Sequence, residues 1–163
     1  MDTRPALQRT KNISHLVLTQ YISDLSDADL MRRPGPGCNH LAWQLGHLIH
    51  SECQLLDTVS PGSAPPLPEG FAEKYDKAKQ SSDNPSDFHT KTEYLDLIQK
   101  VNDAFARALE KCSDADFDKP SPEHLQKMFK TTGDLWVLIA THQMMHAGQF
   151  VPVRRALGKP VLI

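Results

Sequence analysis

Four long segments of the chain carry hydrophobic residues spaced three and four positions apart, and none alternates as a half-buried strand does. This spacing places the apolar side chains of each segment on one face of an α-helix. The sequence therefore predicts an all-α protein, a four-helix bundle. The predicted helices span about residues 6–25, 39–59, 90–112 and 133–157.

Residues that favour helix ends lie at several of these boundaries. Asn39 is the predicted N-cap of the second helix. Thr90 and Glu93 have the spacing of a capping box, which predicts the start of the third helix. Gly158 and Pro160 are predicted to close the fourth helix.

The second and third helices are separated by a connection, residues 60–90, that is long for a compact helical domain. Prolines 61, 65, 66 and 68 exclude regular structure from its first part. A connection of this length can run along the whole bundle, so that the two flanking helices lie parallel. It can also be a functional lid. The sequence leaves both interpretations open.

Composition describes an ordinary globular chain. The 163 residues fit a single domain spanning residues 1–163, with 39% hydrophobic and 23% charged residues. A net charge of −2 and the lack of a basic run give no reason to expect nucleic acid binding. The apolar runs are too short to span a bilayer. The first ten residues lack the apolar section of a secretory signal.

The three cysteines do not form a metal or disulfide motif. Cys38, Cys53 and Cys112 are odd in number, widely spaced and outside any CxxC arrangement. Their use is typical of reduced thiols, so we expect a cytoplasmic protein.

The candidate chemistry lies in the fourth helix, in the sequence ATHQMMHAGQF (residues 140–150). His142 and His146 are four residues apart and therefore share one helical face. They fall in the centre of the predicted apolar stripe, with Gln149 beside them. That stripe comprises Leu135, Leu138, Ile139, Met145, Val153 and Leu157. The spacing alone favours a hydrogen-bonded pair of core histidines, and a third ligand would favour a metal site.

The second helix supplies candidates for that third ligand. His47 lies on the flank of its apolar stripe, beside Trp43, so periodicity alone does not assign it to the core. Glu52 lies in the middle of the stripe, and a buried carboxylate needs a partner. The other histidines are expected at the surface or at caps. Of these, His40 and His50 are predicted to be exposed or capping, and His15, His89 and His124 to be surface residues.

Two segments of the chain, NHLAWQLGHLIHSE and THQMMHAGQFVPVRRALG, resemble the DinB-like superfamily of metal-binding four-helix bundles. The intervening LPEGFAEKY is also similar, and the resemblance covers nearly the whole chain. It implies helices in up-down-down-up order, which the long connection suits. It also implies that His47, His142 and His146 bind a divalent metal ion, and that the protein is a homodimer.

The resemblance also implies a reaction. Three neutral histidines leave a coordination position open, as in catalytic zinc sites, and zinc, nickel or iron(II) would accept these ligands. Characterised members of the superfamily include transferases that use bacillithiol, mycothiol or glutathione, and a thiol-dependent isomerase. We therefore expect transfer of a low-molecular-weight thiol to an electrophilic small molecule, with Trp43 forming a wall of the pocket and Gln149 orienting the ligand. No residue is a persuasive general base.

Two alternatives remain. A hydrolase would use metal-bound water, and a stress-associated binding protein would use the metal only to hold the bundle together. A di-iron carboxylate site is disfavoured because the chain contains no Glu-x-x-His, and the HExxH motif of zinc proteases is also absent.

Overall fold

The computed structural model describes residues 2–161. Within this range the chain is helical, and no named strand forms. The four long helices, which confirm the predicted bundle, are joined by short helices and turns. The helices are α1 (Thr3–Ser23), α2 (Asp27–Leu30), α3 (Leu41–Val59), α4 (Phe71–Lys74), α5 (Lys91–Lys111), α6 (Asp114–Phe117) and α7 (Thr132–Ala156), with 3-10 turns at Lys77–Lys79, Pro85–Asp87 and Glu123–Leu125.

The N-cap of α3 differs from the prediction. Asn39 does not cap the helix, and His40 does so instead, its Nδ1 accepting a hydrogen bond from the backbone N–H of Trp43 at 3.0 Å. The His40 ring is fully buried against Phe88, and its Nε2 lies 3.1 Å from the carbonyl oxygen of Ser82. Contacts with the long connection therefore override the usual preference of asparagine for this position.

Two other predicted helix boundaries agree with the structure. Thr90 and Glu93 form the predicted capping box. Gly158 follows the end of α7 with a φ of 69°, a backbone conformation that glycine adopts without strain. α7 also continues through Pro152, although that residue cannot donate to the helix ladder.

The predicted apolar stripe of α7 is wrong at one position. Met145 is 53% exposed, whereas Trp136 and Phe150 are buried. The reason is that α7 packs against both α1 and α3. It therefore buries a broad arc of its surface, and the centre of that arc is rotated away from Met145.

Contacts at the helix ends show how α1 lies relative to its neighbours. Arg4 donates to the carbonyl oxygen of Cys112 at 3.0 Å, and Lys91 donates to that of Leu25 at 2.6 Å, so α1 and α5 run in opposite directions. Lys11, near the middle of α1, donates to the carbonyl oxygen of Ile139 in the first half of α7. Arg154, near the end of α7, donates to that of Tyr21, near the end of α1. The first and last long helices thus run the same way, and the full up-down-down-up order stays a prediction.

The connection between α3 and α5 folds back over α3. Residues 71–80, which we call the strap, place the Tyr75 ring directly over Gly46. The Tyr75 hydroxyl lies 2.7 Å from that of Tyr94 and 2.6 Å from Nδ1 of His89. Part of the connection is therefore packed against the bundle. His89, predicted as a surface residue, is half-buried because its ring belongs to this cluster.

The interior is filled by two apolar clusters. One surrounds Tyr94 and includes the buried rings of the connection, and the other surrounds Phe105 and Trp136. Among the described residues, no helix combines the length and the apolar character that crossing a bilayer requires.

Candidate metal centre

Three histidines from two helices meet inside the bundle. His47 comes from α3, and His142 and His146 come from successive turns of α7. One ring nitrogen from each residue lies within 4.8 Å of the other two. The structure thus brings together the pair with four-residue spacing and the flank histidine that periodicity could not assign.

His47 owes its position to contacts on both sides. Its ring stacks on the Trp43 indole, with ring centroids 4.9 Å apart and planes 6° from parallel. On the other side its centroid lies 6.4 Å from that of His142 and 6.0 Å from that of His146. The flank of α3 therefore faces α7, and the indole restricts the orientation of the imidazole.

The tautomer of His146 follows from a chain of hydrogen bonds. The Gln44 side chain donates through Nε2 to the carbonyl oxygen of Asn39 at 2.8 Å, so its Oε1 faces Nδ1 of His146 at 3.1 Å. An amide oxygen can only accept, and Nδ1 of His146 must therefore carry the proton. The lone pair is then on Nε2, which is buried and has no hydrogen-bond partner in the described structure.

Unsatisfied nitrogens indicate that the histidines are not simply core residues. Nδ1 of His142 is also buried without a hydrogen-bond partner among the described residues, like Nε2 of His146. Leaving such atoms unpaired in the interior is costly. Three imidazoles on one centre are a donor set that divalent transition metals accept. The residues present therefore fit a divalent cation.

The electrostatic surroundings keep these imidazoles neutral. Burial lowers the pKa of His142 to about 3, and the neighbouring His146, His47 and Lys11 act in the same direction. Burial, followed by the effect of His47, lowers the pKa of His146 to about 4. The pKa of His47 is lowered by burial, then by His50 and Lys77. At neutral pH the lone pairs are thus available to a metal.

A cavity of about 600 Å³ opens beside the cluster. His47 and His146 line it, so the histidines can be reached by a small molecule. Both residues predicted to contact a ligand, Trp43 and Gln149, lie in its wall. The remaining lining residues are Pro34, Gly37, Cys38, Asn39, Gln44, Lys77, Gln80 and Pro152.

The carboxylate of Glu52 has the partners that its buried position requires. Lys11 donates to its Oε1 at 2.7 Å and to the carbonyl oxygen of Ile139 at 3.2 Å. Gln143 donates to its Oε2 at 3.0 Å, and to Oδ1 of Asn102 at 3.1 Å. The ammonium group and the carboxylate are almost completely buried, and burial lowers the pKa of Lys11 while Glu52 opposes that shift. The four long helices are thus joined by one polar network adjoining His142.

Three further histidines differ from or agree with the sequence prediction. His15 was predicted as a surface residue but is half-buried, because its Nδ1 lies 2.6 Å from Nδ2 of Asn102 in the network. His124 is exposed, as predicted, and His50 is half-buried on α3.

Sequence reasoning did not find Lys11, Gln143, Gln44 or Lys77. A pattern for Lys11 exists, because it lies four residues after Leu7 and seven before Leu18 on the apolar face of α1. Gln44 is polar within a run of buried α3 residues, which could have marked it. Lys77 has no such pattern, since its place depends on the fold of the connection.

The fold and the site define a helical bundle that carries a three-histidine cluster at a cavity, a class in which such clusters bind metals. The family model of the DinB superfamily matches residues 15–150, and the chain belongs to this superfamily. The resemblance drawn from the sequence is thereby confirmed.

Two solved structures are similar to this chain along nearly its whole length. A conserved protein from Enterococcus faecalis shares 16% identity, with a TM-score of 0.74 over 98% of this chain and 99% of that one. YfiT from Bacillus subtilis shares 17% identity, with a TM-score of 0.66 over 96% and 89%. YfiT is described as a probable metal-dependent hydrolase with an unusual four-helix bundle topology. No curated protein matches the chain. At these identities the likeness concerns the fold.

Proposed function

We propose that His47, His142 and His146 bind one divalent metal ion (zinc, nickel or iron(II)) and that the site transfers a low-molecular-weight thiol to an electrophilic small molecule. The observation that carries the metal site is the cluster itself, in which one ring nitrogen of each histidine lies within 4.8 Å of the other two. Buried nitrogens without a partner on His142 and His146 support it. The cavity beside them supports a reaction over a purely structural role.

The lining of the cavity supports a thiol over water as the nucleophile. Bound metal would supply positive charge that favours the thiolate form, which is the reactive nucleophile. Hydrolysis gains from a positioned general base, usually a carboxylate or a free histidine. Within the described part of the chain, the residues lining the cavity include no aspartate or glutamate. Trp43 would form a wall for the substrate, and Gln149 would orient it.

The metal site is tested by elemental analysis of protein purified without a nickel column. Wild type should carry about one equivalent of divalent metal per chain, as one three-histidine site requires. His142→Ala should abolish binding, whereas His124→Ala should not, because His124 is exposed and outside the cluster. Equal metal content in the two variants would refute the assignment of ligands.

The reaction is tested with metal-loaded protein and a panel of thiols and electrophiles, each pair with and without protein. Consumption of the thiol together with the electrophile supports transfer. Turnover without thiol would instead support the hydrolase, the activity that the description of YfiT suggests. Loss of folding on chelation, without turnover of any pair, would support a metal that only holds the bundle together.

We also propose that the protein forms a homodimer through the outer face of α1 and α7. These helices pack against each other and carry exposed apolar side chains, Leu16 on α1 (51% exposed) and Val137 on α7 (51% exposed) among them. Sedimentation velocity should show a dimer for wild type and a monomer for Val137→Lys. Met128→Lys, an equally drastic change at an exposed loop residue, should leave the dimer intact. A monomeric wild type would contradict the proposal.

We also propose that the protein is located in a reducing, cytoplasmic compartment. This location is supported by the three cysteines, all of which are free thiols.

A further inference from the structure

We propose that Lys77 determines the specificity of the cavity and that the small molecule bound there carries a carboxylate group. This inference rests on the proposed function, because it concerns what binds at the three-histidine site. It is drawn from the anchoring of the strap, the freedom of the Lys77 side chain and the distribution of charge around the cavity.

The strap is fixed immediately before Lys77. The Tyr75 ring is 2% exposed and lies so close to α3 that a Cβ on Gly46 would be 2.0 Å from its Cε1. The next residue, Asp76, accepts a hydrogen bond at its carbonyl oxygen from Nε1 of Trp43 at 3.3 Å. Trp43 in turn stacks on His47. Two successive residues of the strap are thus tied to the helix that carries the candidate ligand, which holds the Lys77 backbone at the cavity.

The Lys77 side chain has no carboxylate partner in the described structure, although other cations near loops do. Arg33, for example, is paired with Asp83 at 2.8 Å, and Lys119 is paired with Asp116. Lys77 is exposed and lines the cavity, so its ammonium group can meet an incoming ligand. A free lysine on an anchored backbone behaves as a positive point charge with a limited range of positions.

The charge around the cavity is of one sign. Among the described residues that line it, Lys77 is the one with a formal charge. Three neutral histidines would leave the charge of a divalent ion uncompensated, because no carboxylate belongs to the cluster. A cavity lined by one sign of charge concentrates ligands of the opposite sign. A substrate with one group on the metal and a carboxylate on Lys77 would satisfy both charges.

Two probes that differ in one charge test the inference. The protein is loaded with Co²⁺, and 3-mercaptopropionate or its neutral amide, 3-mercaptopropionamide, is titrated while thiolate-to-cobalt absorption is followed. Because the two thiols also differ in acidity, the quantity compared between proteins is the ratio of their dissociation constants. We expect Lys77→Met to reduce the preference for the carboxylate by about fivefold. A change of this size corresponds to the upper end of the interaction free energies measured for exposed ion pairs. The affinity for the amide should stay unchanged.

Lys79→Met is the matched control, since Lys79 belongs to the same strap and is exposed but does not line the cavity. It should retain the preference of wild type. An unchanged ratio in Lys77→Met, or an equal loss in both variants, would overturn the role of Lys77 and leave the metal site intact.

Failure of the proposed function gives a different result. If cobalt binds but neither thiol produces the charge-transfer absorption, the thiol reaction is refuted. The role of Lys77 is then decided by titrating acetate and acetamide against the ligand-field bands of cobalt, with the same two variants. If cobalt does not bind to wild type, the metal site and the inference fall together.

Discussion

Nδ1 of His146 lies 3.1 Å from Oε1 of Gln44, and this contact decides which nitrogen of His146 is free to bind a metal. A third residue determines the direction of this hydrogen bond. The amide nitrogen of Gln44 donates to the carbonyl oxygen of Asn39, so the amide oxygen of Gln44 is the atom that faces His146. A residue at the start of α3 therefore orients a candidate ligand on α7. Such indirect partners of metal ligands contribute to affinity by fixing the ring and its tautomer.

Replacing Gln44 by leucine should therefore weaken metal binding without removing a ligand. We expect a loss of about 10- to 100-fold in affinity, the range typical for partners of ligating histidines. Gln44→Glu should bind more tightly than Gln44→Leu, since a carboxylate also accepts from Nδ1. Competition with a chromophoric chelator measures these affinities. Gln54→Leu, at an exposed position on the same helix, is the control, and equal affinities for both leucine variants would contradict the role of Gln44.

The buried pair of Lys11 and Glu52 gives a prediction about stability. In Glu52→Ala, the ammonium group of Lys11 would lose its buried counter-charge, and the amide of Gln143 would lose one of its two acceptors. Breaking a buried ion pair in this way costs about 3–5 kcal/mol of the free energy of unfolding. The double variant Lys11→Met/Glu52→Gln should be more stable than Glu52→Ala, because it removes the charge and keeps an acceptor for Gln143. Urea denaturation of the three proteins measures the differences. A double variant less stable than Glu52→Ala would show that the charge of Lys11 is not what makes the single change costly.

The long helices could be predicted because their apolar spacing is a local property of the sequence. The same holds for the capping box of Thr90 and Glu93, and for the pairing of His142 with His146 on one face. The need of Glu52 for a partner was also predictable, since a carboxylate in an apolar stripe must be paired. The identity of the partner, Lys11, was not, because it lies on another helix.

The features that could not be predicted from the sequence depend on contacts between residues that are distant along the chain. The first turns of α3 are buried against neighbours on several sides, from Leu41 through Gly46, so one apolar stripe does not describe them. His47 is a flank residue by periodicity and becomes a site residue through the position of α7. Similarly, the strap places Tyr75 and Lys77 by tertiary contacts, and no local pattern encodes those.

The packing of Tyr75 over Gly46 predicts the effect of a single methyl group. In Gly46→Ala the new Cβ would overlap the ring, which would have to move and carry the strap with it. Overpacking of this kind costs about 1–3 kcal/mol, to be measured by urea denaturation. Gly148→Ala is the matched control on α7, where a Cβ meets nothing within 4 Å. That change should be neutral or stabilising by up to about 1 kcal/mol, because alanine favours helix. Similar losses in the two variants would contradict the close packing.

The ion pair between Asp24 and Arg154 predicts how stability depends on pH. Arg154 is fully buried, and its Nη1 lies 2.6 Å from Oδ1 of Asp24. The hydrogen bond from Arg154 lowers the pKa of Asp24 below its ordinary value. A carboxyl group with a lowered pKa in the folded state stabilises the protein fully above its unfolded pKa, about 3.9, and this contribution is lost as the pH falls through the folded pKa.

Asp24→Asn should therefore lower the free energy of unfolding by about 1 kcal/mol at pH 7, a modest value because the Asp24 side chain is 42% exposed. The difference from wild type should shrink as the pH is lowered below 4, since wild type then loses the same charge. Urea denaturation between pH 2.5 and pH 7 (about the range over which an aspartate titrates) measures both effects. Asp96→Asn, at an exposed position on α5, should leave the profile unchanged. A difference between Asp24→Asn and wild type that persists unchanged into acid would show that the carboxylate charge is not its source.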